Sequence, residues 1–373
     1  MRIRGVKQVT AAGAVAVIAV ALGACSSSTT SAPSGTGTTP AGTGTSPAGG
    51  ATTSGPALSG TLNGSGSTFQ LTFQQQAAQN FKSVQPGMTV NYGGGGSGKG
   101  RTDLASGVVN YAGSDSPIPS KDAHLFTGKT VLYFPVVIGP ITLSYNLSGV
   151  TGLKLDAPVI AQIFQGKIKS WDDQAIKALN PGASLPSTPI TLAVRSDSSG
   201  TTQNFTLFLQ DAVGGAWTLG SSSIVSWPST ARAGNGNSGV AQIIKSTAGA
   251  IGYVDLSTAT GSGLSFASVK NKDGNFVAPS ASSASAAAAG ADVKSDLTFA
   301  AVWAPGAQAY PITYQSWDLV FEKQPNANDA AMLKAYIGYL LGPGQALLSQ
   351  LDYAPLLANI DSMAKAQLDK IGM

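Results

Sequence analysis

Beyond residue 57 the chain alternates two kinds of stretch: short runs of β-branched and aromatic residues, and longer ones with an apolar position every three or four residues. That alternation predicts an α/β body. The short runs predict strands at 90–92, 109–113, 131–138, 141–145, 190–194 and 251–254. The longer ones predict helices at 69–81, 157–164, 173–179, 202–209, 239–246, 329–341 and 345–350. In the first helix Phe69, Phe73, Ala77 and Phe81 fall at every fourth position, a stripe that faces a core. The Ala/Ser tract at 281–289 either extends a helix or forms a mobile surface segment. No internal repeat is visible. With 373 residues the chain has room for two lobes, since single cores stop growing at about 250–300 residues.

The first 57 residues follow other patterns. Arg2, Arg4 and Lys7 precede an apolar run of small residues from 9 to 22. That run is too short for a bilayer core of about 30 Å and fits the apolar region of a signal peptide. It ends in Leu22-Gly23-Ala24-Cys25, which resembles the bacterial lipobox, so 1–24 reads as a lipoprotein signal peptide and Cys25 as the lipid attachment site. Residues 26–57 are only Ser, Thr, Gly, Pro and Ala. With Cys25 they read as a lipid-anchored disordered linker spanning about 30 Å on average.

Composition narrows the chemistry. There is one Cys, one His (His124) and one Glu (Glu322), against 46 Gly, and charged residues make up 11% where about 25% is usual. A disulfide framework, a Cys-based zinc site, a cluster of histidines on a metal and a glutamate acid/base pair are excluded. No metal or cofactor is expected. The formal charge of +4 drops to +1 once the three basic residues of the first 24 are removed, which offers nothing to nucleic acid. Backbone amides and hydroxyls are plentiful.

Three glycine- and hydroxyl-rich stretches lead into predicted helices. Gly93-Gly94-Gly95-Gly96-Ser97-Gly98-Lys99-Gly100 fits the phosphate-loop pattern up to its lysine, but Gly100 stands where Ser or Thr must hold magnesium. Its match to the dinucleotide pattern is nearly automatic for four glycines in a row, and no acidic residue stands about 20 positions on in the expected βαβ unit, since Asp115 follows a turn and precedes Pro117. What survives is a set of bare amides before a helix start near 99–104, a place that attracts anions. Gly64-Ser65-Gly66-Ser67-Thr68-Phe69 leads into the first helix, with Ser67 or Thr68 as its N-cap. Arg195-Ser196-Asp197-Ser198-Ser199-Gly200-Thr201-Thr202 joins a strand to another helix. Any one of these is an ordinary capped helix; three together suggest helix ends converging on one oxyanion.

These stretches, with Asn91-Tyr92-Gly93, Gly113-Ser114-Asp115-Ser116-Pro117, Gly166-Lys167-Ile168-Lys169-Ser170-Trp171-Asp172-Asp173 and Gly249-Ala250-Ile251-Gly252-Tyr253-Val254, give the chain a family likeness. In order, over essentially all of 60–373, it resembles the periplasmic-type phosphate-binding proteins of the Pst phosphate ABC transporter. The resemblance implies a two-lobed periplasmic-binding-protein fold with two crossover hinge strands, lobe 1 at 58–138 plus 309–373 and lobe 2 at 139–308. It implies a monomeric carrier, not an enzyme. Such a carrier binds inorganic phosphate and docks on the permease subunits of an ATPase-driven importer at the outer face of the cytoplasmic membrane.

Motif by motif, it implies that Thr68 and Phe69 offer amides and a hydroxyl, that Ser97 is the binding serine, and that Asp115 accepts the ligand's proton. Arg195 becomes the single cation, held by Asp197, and Ser199, Gly200 and Thr201 become donors from the second lobe. Independently of the family, residues two apart on an extended chain point to the same side, which makes the Arg195–Asp197 pairing sterically reasonable. Asp115 also reads as a simple turn residue before Pro117. The glycines at 93–96 and Lys99 depart from the family pattern; Lys99 either adds positive potential to the site or is a solvated lysine. A phosphatase, a binder of another oxyanion and a sensor without transport are the rival readings.

Overall fold

The almost wholly buried stretch Val131–Tyr145 is one 15-residue strand and not the two that Gly139-Pro140 suggested. Its first part pairs antiparallel with Thr313–Phe321, Pro140 standing opposite Thr313. From Ile141 on it pairs antiparallel with Ala250–Asp255. Proline gives no N–H to a ladder, and both prolines stand where the ladder is already interrupted. Pro140 is at the change of partner, and Pro135 is at a register irregularity opposite Ser316 and Trp317. The computed structural model describes residues 57–373; the expected signal peptide, nearly all of the linker, and Cys25 lie outside them.

This strand joins two half-sheets. On one side the order runs Met88–Gly93, Gly60–Gly66, Tyr111–Ser114, Thr313–Phe321 and then Val131–Tyr145. On the other side follow Ala250–Asp255, Thr191–Arg195 and Arg232–Gly234. Met88–Gly93, Gly60–Gly66 and Tyr111–Ser114 are mutually parallel, as are Ala250–Asp255, Thr191–Arg195 and Arg232–Gly234. A small separate sheet holds Lys154–Leu155, Ser268–Lys270 and Phe276–Val277. The result is a two-lobed α/β fold whose parallel strands return through helices.

Several local expectations change. The first helix is Leu71–Val84, two residues later than its apolar spacing predicts, with Gln70 at the N-cap position and no side-chain cap; neither Ser67 nor Thr68 caps it. The stripe Phe73, Ala77, Phe81 is buried, and Phe69, just ahead of the helix, packs its ring 4.1 Å from that of Tyr314. The Ala/Ser tract is a helix, Ala281–Ala288, fixed at its start by a reciprocal pair of bonds between Ser280 and Ser283. Pro343–Leu351 winds as a 3-10 helix where an α-helix was expected at 345–350. Strands Gly60–Gly66 and Thr313–Phe321 were not predicted, the first because glycine has low strand propensity, the second because Gln315, Ser316 and Asp318 look like surface residues and are buried.

Candidate functional site

In open α/β sheets ligands bind beyond the carboxyl ends of the strands. Here the ends Gly66, Gly93, Ser114, Arg195 and Gly234 each run directly into one of the chain's polar segments. Those segments meet across the two half-sheets. Gly98 N donates to Ser198 O at 3.0 Å, Asn237 N to Thr68 Oγ1 at 3.3 Å, and Asn204 Nδ2 to Asp115 O at 2.7 Å. The arrangement is closed.

Asp115 lies at its centre, fully buried, with no cation bonded to it among the described residues. Its Oδ1 accepts from Ser67 Oγ, and from Ser316 Oγ at 2.7 Å. Its Oδ2 has only Ser97 Oγ, at 3.4 Å. The backbone amide of Asp115 also donates to Ser97 Oγ at 3.1 Å. Burial pushes the carboxyl above the usual range, and the Ser67 and Ser316 hydroxyls, the charge of Arg195 and the Ser97 hydroxyl offset that only in part. One oxygen is therefore saturated and the other has room for a further donor.

Arg195 is a buried cation opposite, distinct from Arg101, which is also buried and pairs with Asp122. Its Nε donates to Asp197 Oδ1 at 2.8 Å and its Nη2 to Asp197 Oδ2, a two-pronged pair. Nη1 donates to Asn237 Oδ1 at 3.0 Å and, more loosely, to Thr201 Oγ1 at 3.4 Å. Burial disfavours the Asp197 carboxylate, but Arg195 and the Gly236 amide outweigh it and hold that group below the usual carboxylate range. The pair thus anchors the guanidinium while part of its donor capacity stays uncommitted.

The helix Gly200–Val213 starts at the same place. Ser199 caps it, its Oγ accepting from Thr202 N at 3.1 Å and its amide donating to Ser223 O at 2.9 Å, so the donor it has left is its hydroxyl proton. A side chain at Gly200 would lie 2.5 Å from Ser97 Oγ and 2.8 Å from Asp115 Oδ2, so only glycine lets this helix start close on the acceptor. Gly96 has the same importance in the glycine run: it has φ +88°, and a Cβ there would lie 2.3 Å from Asp197 Oδ2. The Ser97–Ala105 helix begins two residues before the expected start. Lys99 pairs with Asp103 on an exposed face, which answers the alternative left open for it.

All the sequence-predicted site residues come together: Thr68, Phe69, Ser97, Asp115, Arg195, Asp197, Ser199, Gly200 and Thr201. The Phe69 amide donates to Ser67 Oγ at 3.0 Å, and Thr201 Oγ1 stands 3.3 Å from Tyr314 Oη. Four further residues share the site. Asn237 opens the helix Gly236–Ser246, a fourth glycine-rich helix start whose composition matched the other three. Ser67 was visible as a hydroxyl but was assigned to a cap. Ser316 and Asn204 carried no signal, one inside an unpredicted strand and the other a turn into its helix. His124 is exposed, its Nδ1 2.8 Å from Lys121 O, away from these groups. Among the described residues no group of three or more His, Cys, Asp or Glu gathers as for a metal, and no helix is long and apolar enough to cross a membrane.

Residues 50–343 match the PBP superfamily domain. The chain is 34% identical over 308 residues to Phosphate-binding protein PstS 3 of Mycobacterium leprae, covering 79% of this chain and 83% of that one. It is also 34% identical over 325 residues to Phosphate-binding protein PstS 2 of Mycobacterium tuberculosis, covering 83% and 87%. Among solved structures, a phosphate-binding protein from Stenotrophomonas maltophilia superposes with a TM-score of 0.64 at 19% identity, covering 82% of this chain and 93% of that one. A high-affinity periplasmic phosphate-binding protein solved with phosphate gives 0.68 at 23% identity, covering 82% and 93%. At these identities the structural likeness speaks for the fold. The sequence matches reach further: the chain belongs to the PBP superfamily and, within it, to the PstS phosphate-binding proteins.

Proposed function

We propose that this protein binds inorganic phosphate between its lobes and delivers it to a membrane ABC importer, without chemical conversion. The observation that carries this reading is Asp115, a buried acceptor with one unsaturated oxygen, set among hydroxyls opposite the cation Arg195. At neutral pH phosphate always keeps at least one proton, and sulfate keeps none. A site made only of donors holds both ions alike; one acceptor favours the protonated ion and repels the other. In this reading Thr68, Ser97, Ser199, Gly200 and Thr201 supply the remaining donors, the Phe69 amide turns from Ser67 Oγ to the ligand, and Asp197 positions Arg195.

Residues 58–138 with 309–373 form one lobe and 139–308 the other, and the ligand stabilises the closed form because donors from both lobes reach it only then. The closed monomer docks on the permease subunits, and through them on an ATPase. Calorimetric titration is expected to give tight binding for phosphate and none or far weaker binding for sulfate; equal heats and affinities would remove the specificity claim.

The protein is held at the outer face of the cytoplasmic membrane by acyl chains on Cys25, each buried CH₂ contributing about 0.8 kcal/mol. Cys25→Ser is expected to move it from the membrane fraction to the soluble fraction of an expressing bacterium. A variant that stays with the membrane would show that something else anchors it.

A further inference from the structure

Behind Asp115 runs a chain of buried polar side chains that the binding reading does not use. Ser316 Oγ, which donates to Asp115 Oδ1, itself receives Gln70 Nε2 at 3.1 Å. Gln70 Oε1 receives Gln74 Nε2 at 2.8 Å, and that same nitrogen reaches the two oxygens of Asp318 at 3.0 and 2.9 Å. Gln74 Oε1 is occupied by the hydroxyls of Tyr336 at 2.8 Å and Tyr111 at 3.3 Å. Every member is buried, and no cation among the described residues pairs with Asp318.

An amide or a hydroxyl in such a chain works equally well in either direction until the acceptors at its two ends, here Asp115 and Asp318, decide it. An ionised carboxylate only accepts. Asp318 therefore turns the Gln74 nitrogen toward itself, which leaves Gln70 to present its oxygen to Gln74 and its nitrogen to Ser316. The Trp317 carbonyl, 3.2 Å from Gln70 Nε2, supports the same direction. With Gln70 as its donor, Ser316 sends its proton to Asp115 Oδ1 at 2.7 Å, the other acceptor in reach, Ser114 O, lying farther at 3.4 Å. The fold makes room for this: Gly113 is the register partner of Asp318, and a Cβ there would lie 2.4 Å from Gln70 Nε2 and 2.0 Å from Tyr92 Oη.

We propose that Asp318 is a positioning residue for ligand selection: as terminal acceptor of the Gln74–Gln70–Ser316 relay it keeps Asp115 Oδ1 saturated and leaves Oδ2 as the free acceptor for the ligand's hydroxyl. The proposal rests on the phosphate reading above. The groups facing Asp318 are the hydroxyls of Tyr92, Tyr111 and Tyr336 and the two glutamines, with the Asp115 carboxylate at the far end of the relay. Burial, opposed by Gln74 and Gln70, pushes Asp318 up to about 7. Near neutrality it therefore changes between acceptor and donor. Once protonated it no longer dictates the direction of the relay.

The test is calorimetry on the full chain with phosphate, and with phosphate in competition with sulfate, for the wild type, Asp318→Asn, Ser316→Ala and the double variant. At about pH 8 Asp318→Asn is expected to lower the preference for phosphate about tenfold, whereas at about pH 6 it matches the wild type, whose Asp318 is then protonated. Dividing variant by wild type at each pH cancels the ionisation of phosphate itself. In the Ser316→Ala background Asp318→Asn is expected to change nothing further, because both act through one bond. Gln70→Met, which cuts the relay and keeps both carboxyls, serves if Asp318→Asn does not fold. A wild type that discriminates while folded Asp318→Asn or Gln70→Met discriminates equally at both pH values overturns the relay alone, as does an additive double variant. A wild type that does not discriminate overturns the phosphate reading and the relay with it.

Discussion

Asp115→Asn is expected to reduce the preference for phosphate over sulfate by about a thousandfold or more. Sites built to hydrogen-bond a hydroxyl reject analogues lacking it by about 10⁴–10⁵, so most of that margin is available to lose. The substitution keeps the shape. The Ser67 and Ser316 hydroxyls that hold Oδ1 still find a carbonyl oxygen in Asn, which turns the new NH₂ toward the space beside Oδ2. The group that accepted the phosphate proton and repelled a fully ionised anion becomes a neutral donor. Phosphate affinity should fall and sulfate affinity rise, and competition calorimetry reads both. The wild-type preference should also weaken on acidification at a higher pH than an ordinary carboxylate would allow, since burial raises the pKa of Asp115 and its protonated form cannot accept. An unchanged phosphate-to-sulfate ratio in the variant would take Asp115 out of the site.

The elements that supply these groups were legible to different degrees, for physical reasons. Helix starts rich in glycine and hydroxyls announce themselves, because only such residues let amides approach an anion; this marks the stretches that hold Ser97, Arg195 and Gly200, and the family resemblance gives those residues their roles. The pairing of Arg195 with Asp197 is implied by the resemblance, and their two-residue spacing on an extended segment makes it sterically reasonable. Asn237 had the same signal in Gly234-Asn235-Gly236-Asn237 and was passed over. Strand Thr313–Phe321 could not be read, because alternation rules treat Gln315, Ser316 and Asp318 as surface residues and here they form a buried relay. Ser67 shows a related limit: a hydroxyl ahead of a helix reads as a cap, and it is spent instead on Asp115. Local pattern reports what a segment can do alone. It says little about polar groups whose partners lie some 200 residues away, as Ser316 does from Asp115, 201 positions apart.

Arg195→Ala is expected to weaken phosphate binding by about 10²–10⁴. Removing one partner of a buried ion pair typically costs about 3–5 kcal/mol, and the loss here falls on three groups at once. Asp197 keeps only the Gly236 amide, at 3.0 Å. Asn237 Oδ1 loses its donor, and the ligand loses its one counter-charge. The site then presents Asp115 and Asp197 to an anion without Arg195 between them, so repulsion adds to the missing attraction. Arg195→Lys should recover only part, because an ammonium is a single point charge and cannot hold Asp197 with two nitrogens while reaching toward Thr201 with a third. Adding Asp197→Asn to Arg195→Ala should restore some affinity by removing the uncompensated charge, an effect of opposite sign to what the same change does beside an intact arginine. Calorimetric affinities for the wild type and these four variants decide it. If Arg195→Ala loses less than about tenfold, or if Asp197→Asn is harmful in both backgrounds, the guanidinium supports the lobe's structure and does not face the ligand.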